Sequence, residues 1–180
     1  MSAVTIIDPA AILNEIDERC RLAAANLPQK LESSDALSTV CFRVGSNRLV
    51  AELGEVVEIL TFPEMTVVPN TRSWVCGLAN IRGKLLPVID LDRYLAGTGT
   101  AVTFRTRVLV VEYHGIYSGL MVDEVFGLKH FPEEARIDAD YSEERFSEYV
   151  SHSYRAGDHE WGLISLFTLV EAPQFLQTAV

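Results

Sequence analysis

The sequence is poor in lysine and in cysteine, and both shortages restrict what the protein can do. Lysine supplies only three of the fifteen basic residues, and with 25 acidic residues the net charge at pH 7 is −10. A chain this acidic is a poor candidate for binding nucleic acid or anionic lipid. The three cysteines, Cys20, Cys41 and Cys76, are odd in number and widely spaced, with no CxxC pair. This usage is typical of a reducing cytoplasm and speaks against a zinc site.

Long hydrophobic runs are also lacking. No uncharged stretch is long and apolar enough to span a bilayer, and the first ten residues lack the basic region and apolar core of a secretory signal. We therefore expect no direct membrane insertion. An apolar fraction of 48% in 180 residues indicates a globular protein of one domain, or of two small domains that share a core.

Motifs for catalysis or cofactor binding are missing as well. There is no GxGxxG, Walker A or GxSxG sequence. Two of the four histidines, His114 and His159, lie in turn signals, and the other two, His130 and His152, have no acid or cysteine at a telling spacing. We therefore predict that the protein is not an enzyme and has no catalytic residues and no cofactor.

Two acidic motifs could suggest a metal site. Asp90 and Asp92 flank a single leucine, but the cap of a short helix through Leu95 explains them better. Asp138-x-Asp140-x-Ser142 begins like a calcium loop, yet it lacks the central glycine and the acid at position twelve. We expect no metal ligands in either place.

The N-terminal region, residues 1–37, reads as a helix followed by a linker. Asp8 and Pro9 form a helix start, and apolar residues at helical spacing continue to about Ala25. Residues 28–37 are polar. The helix either docks on the domain that follows, which we favour, or serves as a separate handle for a partner.

From residue 38 the pattern changes to short strands and turns, and it occurs twice. Predicted hairpins with turns at Gly45 and Gly115 open the two halves, and each is followed by a Glu-Val motif. The motif beginning at Gly54 returns 69 residues later at Asp123. Each half then continues with a variable loop, a strand and a short helix, which indicates an internal duplication. Short antiparallel units of this kind usually close into barrels.

The stretch from Val75 to Leu95 is the most informative part of the sequence. Gly83 is the predicted turn of a tight hairpin, and the following run, 85–91, suits a strand buried on both faces. Pro87 within it suggests an edge strand or a bulge. Residues 73–76 are compatible with one helical turn.

Arg82 lies in this hairpin among apolar residues, with no acid nearby in the sequence. Arg82 is therefore either an ordinary surface arginine or one with a desolvated stem that needs an acid. Glu58, which is equally short of a nearby base, is the best candidate for its partner.

Six aromatic residues fall at predicted strand ends and loops, where they serve as core residues or as binding anchors. For each of them the core is the better interpretation. They are Phe62, Trp74, Tyr94, Phe126, Phe131 and Trp161.

The segment GLANIRGKLLPVIDL, residues 77–91, resembles the central signature of the CheW family of chemosensory adaptors. VVEI at 56–59, RVLVV at 107–111 and GLMVDEV at 119–125 match the same family in order and spacing. The resemblance covers about residues 38–169. The segment 16–22 and the residues 73–75 look most like the PilI-type branch, which serves type IV pilus twitching motility.

The resemblance implies a mainly β protein with a CheW-like fold: two intertwined five-stranded SH3-like β-barrels with short helices, here spanning residues 38–175 and preceded by the N-terminal helix. It also implies a non-catalytic cytoplasmic adaptor, recruited to membrane-associated arrays. Such an adaptor couples the cytoplasmic tip of a methyl-accepting chemoreceptor to a CheA-type histidine kinase by binding the CheW-like domain of the kinase. A swimming-chemotaxis array, or a structural role near the pilus base, is the alternative.

Carried over by motif position, the resemblance implies two sets of site residues. The receptor-binding candidates are Val56, Glu58, Gly77, Arg82, Gly83, Val108 and Gly119. The kinase-binding candidates are Val125 and Phe126. A stand-alone β-barrel enzyme or small-ligand binder is the competing class, and no set of residues proposes one.

Overall fold

The computed structural model describes residues 37–137 and 144–179. The predicted N-terminal helix and the motif at 138–142 lie outside these ranges. The strands are β1 (Leu37–Val44), β2 (Asn47–Glu52), β3 (Glu58–Thr61), β4 (Met65–Thr66), β5 (Val75–Ile81), β6 (Lys84–Asp90), β7 (Arg107–Tyr113), β8 (Ile116–Val122), β9 (Glu124–Phe131), β10 (Arg136–Ile137), β11 (Val150–Ala156) and β12 (His159–Ile164). The helices are α1 (Leu91–Leu95), α2 (Glu144–Ser147), α3 (Leu166–Glu171) and α4 (Pro173–Leu176), with 3-10 turns at Leu53–Glu55 and Glu133–Ala135.

The strands form two six-stranded sheets that share one topology. The first sheet has the order β10-β11-β12-β2-β1-β9, and the second has the order β4-β5-β6-β8-β7-β3. In both sheets the one parallel pair joins the opening hairpin of one half of the chain to the last strand of the other half. Each half therefore lends its hairpin to the sheet of the other half. The predicted duplication is confirmed, and the exchange of hairpins is what intertwines the two sheets.

The connections at the sheet edges require both sheets to curl. The edges of the second sheet, β3 and β4, are joined by residues 62–64 alone, and a linker of this length spans at most about 15 Å. Six strands lying flat would separate the edges by about 24 Å. The edges of the first sheet, β9 and β10, are joined by only four residues. Each sheet therefore rolls into a barrel of five longer strands plus a two-residue strand, one strand more than the five that the resemblance implies.

Hydrophobic residues form three clusters, and strand alternation explains their arrangement. The largest cluster contains residues of both sheets, such as Phe42 and Leu109, and lies between the barrels. Two smaller clusters each draw on one sheet only and fill the inside of one barrel, the first around Trp161 and the second around Val108. The exchanged hairpins have both faces buried. Successive residues of a strand point to opposite faces, so one set points into the barrel that contains the hairpin and the other set points towards the neighbouring barrel.

Several local expectations are corrected by the structure. Residues 73–76 form no helical turn. A β-turn closed by the hydrogen bond from the Val75 N–H group to the Arg72 carbonyl oxygen leads directly into β5, which begins at Val75. Pro87 lies in a central strand and not at an edge; β6 begins to pair with β8 one residue later, and the bulge is in the facing strand β5. Leu85 is 62% exposed, although the run that contains it was expected to be buried on both faces.

The core interpretation of the aromatic residues holds for three of the six. Tyr94, Phe131 and Trp161 are buried, whereas Phe126 is 38% exposed. Phe62 and Trp74 are half-buried. Among the described residues, no helix has the length and apolar character needed to span a bilayer.

Candidate partner-binding surfaces

The structure brings Arg82 and Glu58 together. Arg82 and Gly83 are the two central residues of the β5–β6 hairpin turn, with φ of +52° and +86°, values typical of a type I′ turn. The side chain of Asn80 supports the turn by accepting a hydrogen bond of 2.9 Å from the Gly83 N–H group. From this turn Arg82 Nη2 donates to Glu58 Oε1 over 2.7 Å.

The pair links the β5–β6 turn to β3 within the second barrel. These elements are not hydrogen-bonded to each other in the sheet, because β3 is an edge strand that pairs only with β7. The Arg82 side chain is 80% exposed and that of Glu58 is 31% exposed. Arg82 is therefore a surface arginine, and the alternative of a desolvated stem is wrong: a residue at the tip of a hairpin turn projects into solvent even when its sequence neighbours are apolar.

Exposed apolar and charged residues adjoin the two members of this pair in the sequence. Val57 and Leu85 are 61% and 62% exposed. Lys84 Nζ lies 3.0 Å from Glu112 Oε1 and 3.6 Å from the centre of the Tyr117 ring. A groove of about 640 Å³ next to the turn is lined by Glu64, Met65, Thr66, Leu78, Asn80 and Leu85. We refer to Val57, Glu58, Arg82, Gly83 and Leu85 as the Glu58 surface.

The other receptor-binding candidates lie beneath this surface. Val108 is fully buried, and a Cβ atom on Gly119 would lie 2.7 Å from its Cγ1. Gly77 is buried at the bulge in β5 with φ of +148°, and a Cβ there would lie 2.5 Å from the Thr66 carbonyl oxygen. Val56 is half-buried against the cluster between the barrels. Packing within the protein explains why these residue types occur at the four positions. Any contribution that they make to partner binding would therefore be indirect, through the shape of the barrel.

The two kinase-binding candidates face different ways on the edge strand β9. Val125 packs against the cluster between the barrels. Phe126 is partly exposed and meets Trp161 edge-on, with 5.5 Å between ring centres. The guanidinium of Arg48 lies 5.2 Å from the centre of the Phe126 ring. Leu128 is 59% exposed, but a register shift at Phe126 places it opposite Val40 and therefore on the other face of β9. We refer to Phe126 with the neighbouring Arg48 as the Phe126 surface.

A buried acid that the sequence interpretation missed lies close to the Glu58 surface. Glu55 is 8% exposed and ends the 3-10 turn between β2 and β3. Its Oε1 accepts a hydrogen bond of 3.0 Å from Ser165 Oγ, and its Oε2 accepts one of 2.8 Å from the Leu166 N–H group. Burial raises the pKa of Glu55, and the hydrogen bonds to its carboxylate oppose that shift. The repeated Glu-Val motif was the one sequence signal for this residue.

The acidic motif at Asp90 has the structural role that its position predicts. Asp90 caps α1 by accepting a hydrogen bond from the Arg93 N–H group, and it also accepts from the N–H and hydroxyl groups of Thr100. Burial and the nearby Asp90 raise the pKa of Cys76 to about 11, so this thiol stays protonated at neutral pH. Within 37–137 and 144–179, no three His, Cys, Asp or Glu side chains are placed to hold a metal ion.

His114 makes a contact that its place in a turn did not reveal. Its Nδ1 lies 2.6 Å from Glu171 Oε1 on α3, and its ring stacks on Tyr113 at 3.9 Å. Tyr113 in turn stacks on Phe167 of α3 at 4.0 Å. The β7–β8 turn is thus attached to α3, which belongs to the same half of the chain but follows β12 of the other sheet.

Comparison with known proteins places these features in a family. The profile described as the CheW-like domain matches residues 38–179. The chain is 38% identical over 172 residues to Protein PilI of Pseudomonas aeruginosa, a match that covers 96% of this chain and 97% of that protein. It is 37% identical over 92 residues to Protein FrzA of Myxococcus xanthus, covering 51% of this chain and 58% of that one.

The crystal structure of the scaffolding protein TtCheW from Thermoanaerobacter tengcongensis has the same fold. It matches with a TM-score of 0.67 at 24% identity and covers 77% of this chain and 94% of TtCheW. The fold, the repeated motifs and the sequence similarity agree, and the chain therefore belongs to the family of CheW-like domain proteins.

Proposed function

We propose that the protein is a non-catalytic adaptor that couples methyl-accepting chemoreceptors to a CheA-type histidine kinase in an array that controls type IV pilus twitching motility. The observation that carries this proposal is the similarity to PilI along nearly the whole of both chains. The domain profile begins only at residue 38, so the match to PilI also includes part of the N-terminal region. The identity over this extent is 38%, against 25% for the Chemotaxis protein CheW of Helicobacter pylori, which matches 88% of this chain, and this difference favours the pilus branch over a swimming-chemotaxis array.

The Glu58 surface is the proposed receptor-binding surface. It combines exposed apolar side chains, Val57 and Leu85, with an ion pair that is already formed. An interface of this composition gains binding energy from the apolar contacts and specificity from the charges. Gly77, Val108 and Gly119 support it from inside the barrel, and Val56 supports it from between the barrels.

The Phe126 surface is the proposed kinase-binding surface. Phe126 rests on the buried Trp161, so a partly exposed aromatic side chain is held in place before a partner arrives. Aromatic anchors of this kind contribute much of the energy of protein interfaces. The kinase would dock through its own CheW-like domain, end to end with the barrel that carries Phe126.

The two surfaces lie on different barrels, so both partners can bind at the same time. Such contacts need not be strong one by one, because an array holds many weak links at high effective concentration. We infer a cytoplasmic protein that reaches the membrane through its receptor partner, with residues 1–37 as an N-terminal extension of a CheW-like domain at 38–175.

The experiment that tests the function is affinity isolation of the tagged full-length protein from its native cell. We expect a large histidine kinase with a CheW-like domain and a methyl-accepting receptor to be isolated with it, together with loss of twitching in a deletion strain. Loss of swimming instead would indicate the alternative array. Isolation with pilus-base proteins and without a kinase would contradict the adaptor function.

A further inference from the structure

The chain passes from the first barrel to the second through residues 53–57, and a buried carboxylate holds this crossing. Glu55 lies in the crossing and binds the N-terminal end of α3 through Ser165 Oγ and the Leu166 N–H group. Hydrogen bonding within the crossing itself is weak, because the 3-10 hydrogen bond from the Val56 N–H group to the Leu53 carbonyl oxygen is 3.4 Å long. The next firm contact is the 2.8 Å hydrogen bond from the Val57 N–H group to the Val110 carbonyl oxygen.

We propose that Glu55 is a positioning residue of the receptor-binding surface: its carboxylate anchors the crossing to α3 and so fixes where β3 begins and where Glu58 meets Arg82. The inference rests on the receptor-binding role proposed for the Glu58 surface. Glu58 is only three residues beyond Glu55, and Val57, one residue before Glu58, is part of the same surface. A displacement of the crossing is therefore transmitted directly to the ion pair.

The second crossing, between β8 and β9, is built differently and supplies a matched control. Glu124 occupies the repeat position of Glu55, but it is 22% exposed and makes partly exposed ion pairs with Arg43 at 3.9 Å and with Arg105 at 3.4 Å. Asp123 beside it accepts a hydrogen bond of 2.7 Å from the Gly45 N–H group. Loss of Glu124 therefore removes solvent-screened pairs, whereas loss of Glu55 leaves buried N–H and hydroxyl groups without an acceptor.

A buried carboxylate is also the right group for this task. It accepts from two donors at once with its two oxygens, and hydrogen bonds to a charged acceptor are stronger than those to a neutral one. A glutamine at the same place can still accept from the Leu166 N–H group and donate to Ser165 Oγ. Glu55→Gln should therefore preserve the position of the crossing, while Glu55→Ala should release it.

The test uses the full-length protein with two probes: the soluble cytoplasmic tip of its co-isolated receptor and the CheW-like domain of its co-isolated kinase. Titration calorimetry would compare wild type, Glu55→Ala, Glu55→Gln and Glu124→Ala. Val50→Ala inside the first barrel controls for stability loss alone, since the fully buried Val50 side chain has no hydrogen-bonding group and its truncation leaves both contacts of Glu55 in place. Hydrogen exchange of the 54–58 amides would report the position of the crossing without any partner.

We expect Glu55→Ala to bind the receptor tip about tenfold more weakly, the loss typical of a disturbed interface anchor. Binding of the kinase domain should be unchanged, and the 54–58 amides should exchange faster. Glu55→Gln, Glu124→Ala and Val50→Ala should bind the receptor tip like wild type. If Glu55→Ala does not fold, Ser165→Ala removes only one of the two contacts and should give a smaller loss in the same direction.

Two outcomes would overturn the proposal, and they differ from each other. If wild type binds the receptor tip and Glu55→Ala binds it equally well, or loses receptor and kinase binding to the same extent as Val50→Ala, Glu55 is only a structural residue. If wild type binds no receptor tip at all, the proposed function fails and the positioning role fails with it.

Discussion

Arg82 and Glu58 are 24 residues apart in the sequence, and their side chains meet at 2.7 Å between Nη2 and Oε1 on the surface of the second barrel. The contact exists because a hairpin turn with two positive φ angles projects Arg82 away from the sheet, towards the first residue of the edge strand β3. With Arg82 80% exposed, water screens this pair well. Its value for stability must therefore be small, whatever its value for binding.

A double-mutant cycle on this pair should separate the two effects. Exposed ion pairs contribute about 0–1 kcal/mol, so Arg82→Ala and Glu58→Ala should each lower the free energy of unfolding by no more than about 1 kcal/mol. Binding of a receptor tip should fall about tenfold in either variant, with little further loss in the double variant. Urea denaturation and titration calorimetry measure the two quantities. Additive losses in binding would mean that the two residues act independently there.

The glycines carried over as receptor-binding candidates should form a graded series. Gly83→Ala meets no atom within 4 Å and suffers only from its φ of +86°, a cost of about 1–2 kcal/mol. Gly77→Ala adds a collision with the Thr66 carbonyl oxygen at 2.5 Å and should cost about 2–4 kcal/mol in total. Urea denaturation checks the order. Equal losses would show that β4 moves away from β5 without cost.

Phe126→Asp should weaken kinase binding about tenfold and leave receptor binding unchanged, because it removes an apolar anchor and adds a charge beside Trp161. The free energy of unfolding should fall by only about 1 kcal/mol, since Phe126 is already 38% exposed. Val67→Asp is the matched control, an exposed aliphatic residue of the second barrel. Binding assays with the kinase domain and the receptor tip measure the two affinities, and a thermal melt measures the change in stability. Loss of both activities with a lowered melting temperature would make Phe126 a core residue.

The sequence predicted the architecture well because the signals for it are local and occur twice. Hairpin turns such as Arg82-Gly83 and His114-Gly115 require positive φ angles, and a glycine at the second position of each turn indicates such a turn from the sequence. The same pattern in both halves indicated two equivalent barrels. It could not reveal the exchange of hairpins, because alternating strands have the same appearance whichever half they pair with.

The candidate sites were predicted less completely. The Arg82–Glu58 contact could be expected, since each residue lacks a partner nearby in the sequence. The exposure of Arg82 could not, because an apolar neighbourhood in sequence says nothing about the tip of a turn. Glu55 was missed for a related reason: its partners, Ser165 and the Leu166 N–H group, are 110 and 111 residues away and include a backbone group.

The CheW-like domain should fold without residues 1–35. The hydrophobic clusters of the described residues begin at Val40, and β1 begins at Leu37. We expect the truncated protein to be soluble and to keep a single cooperative thermal transition, since the strand pairs among the described residues already join all six strands of each sheet. Differential scanning calorimetry on both forms checks this. An insoluble product, or one without a cooperative transition, would place the N-terminal segment in the core.

Glu55 should leave a signature in the pH dependence of stability. Because burial raises its pKa in the native state, the folded protein binds this proton more tightly than the unfolded chain does, and the nearby Glu52 acts in the same direction. The contribution of Glu55 to the free energy of unfolding is therefore largest when it is protonated, and it falls as pH rises from the ordinary pKa of glutamate through the raised value.

Other carboxylates titrate over the same range, so the quantity to measure is the difference in the free energy of unfolding between Glu55→Gln and wild type. That difference, obtained from urea denaturation between about pH 4 and pH 7, should move in favour of the glutamine variant as pH rises, on top of any constant offset. A flat difference would mean that the hydrogen bonds from Ser165 and Leu166 cancel the effect of burial on the pKa of Glu55, and a difference that moves towards wild type would mean that they outweigh it.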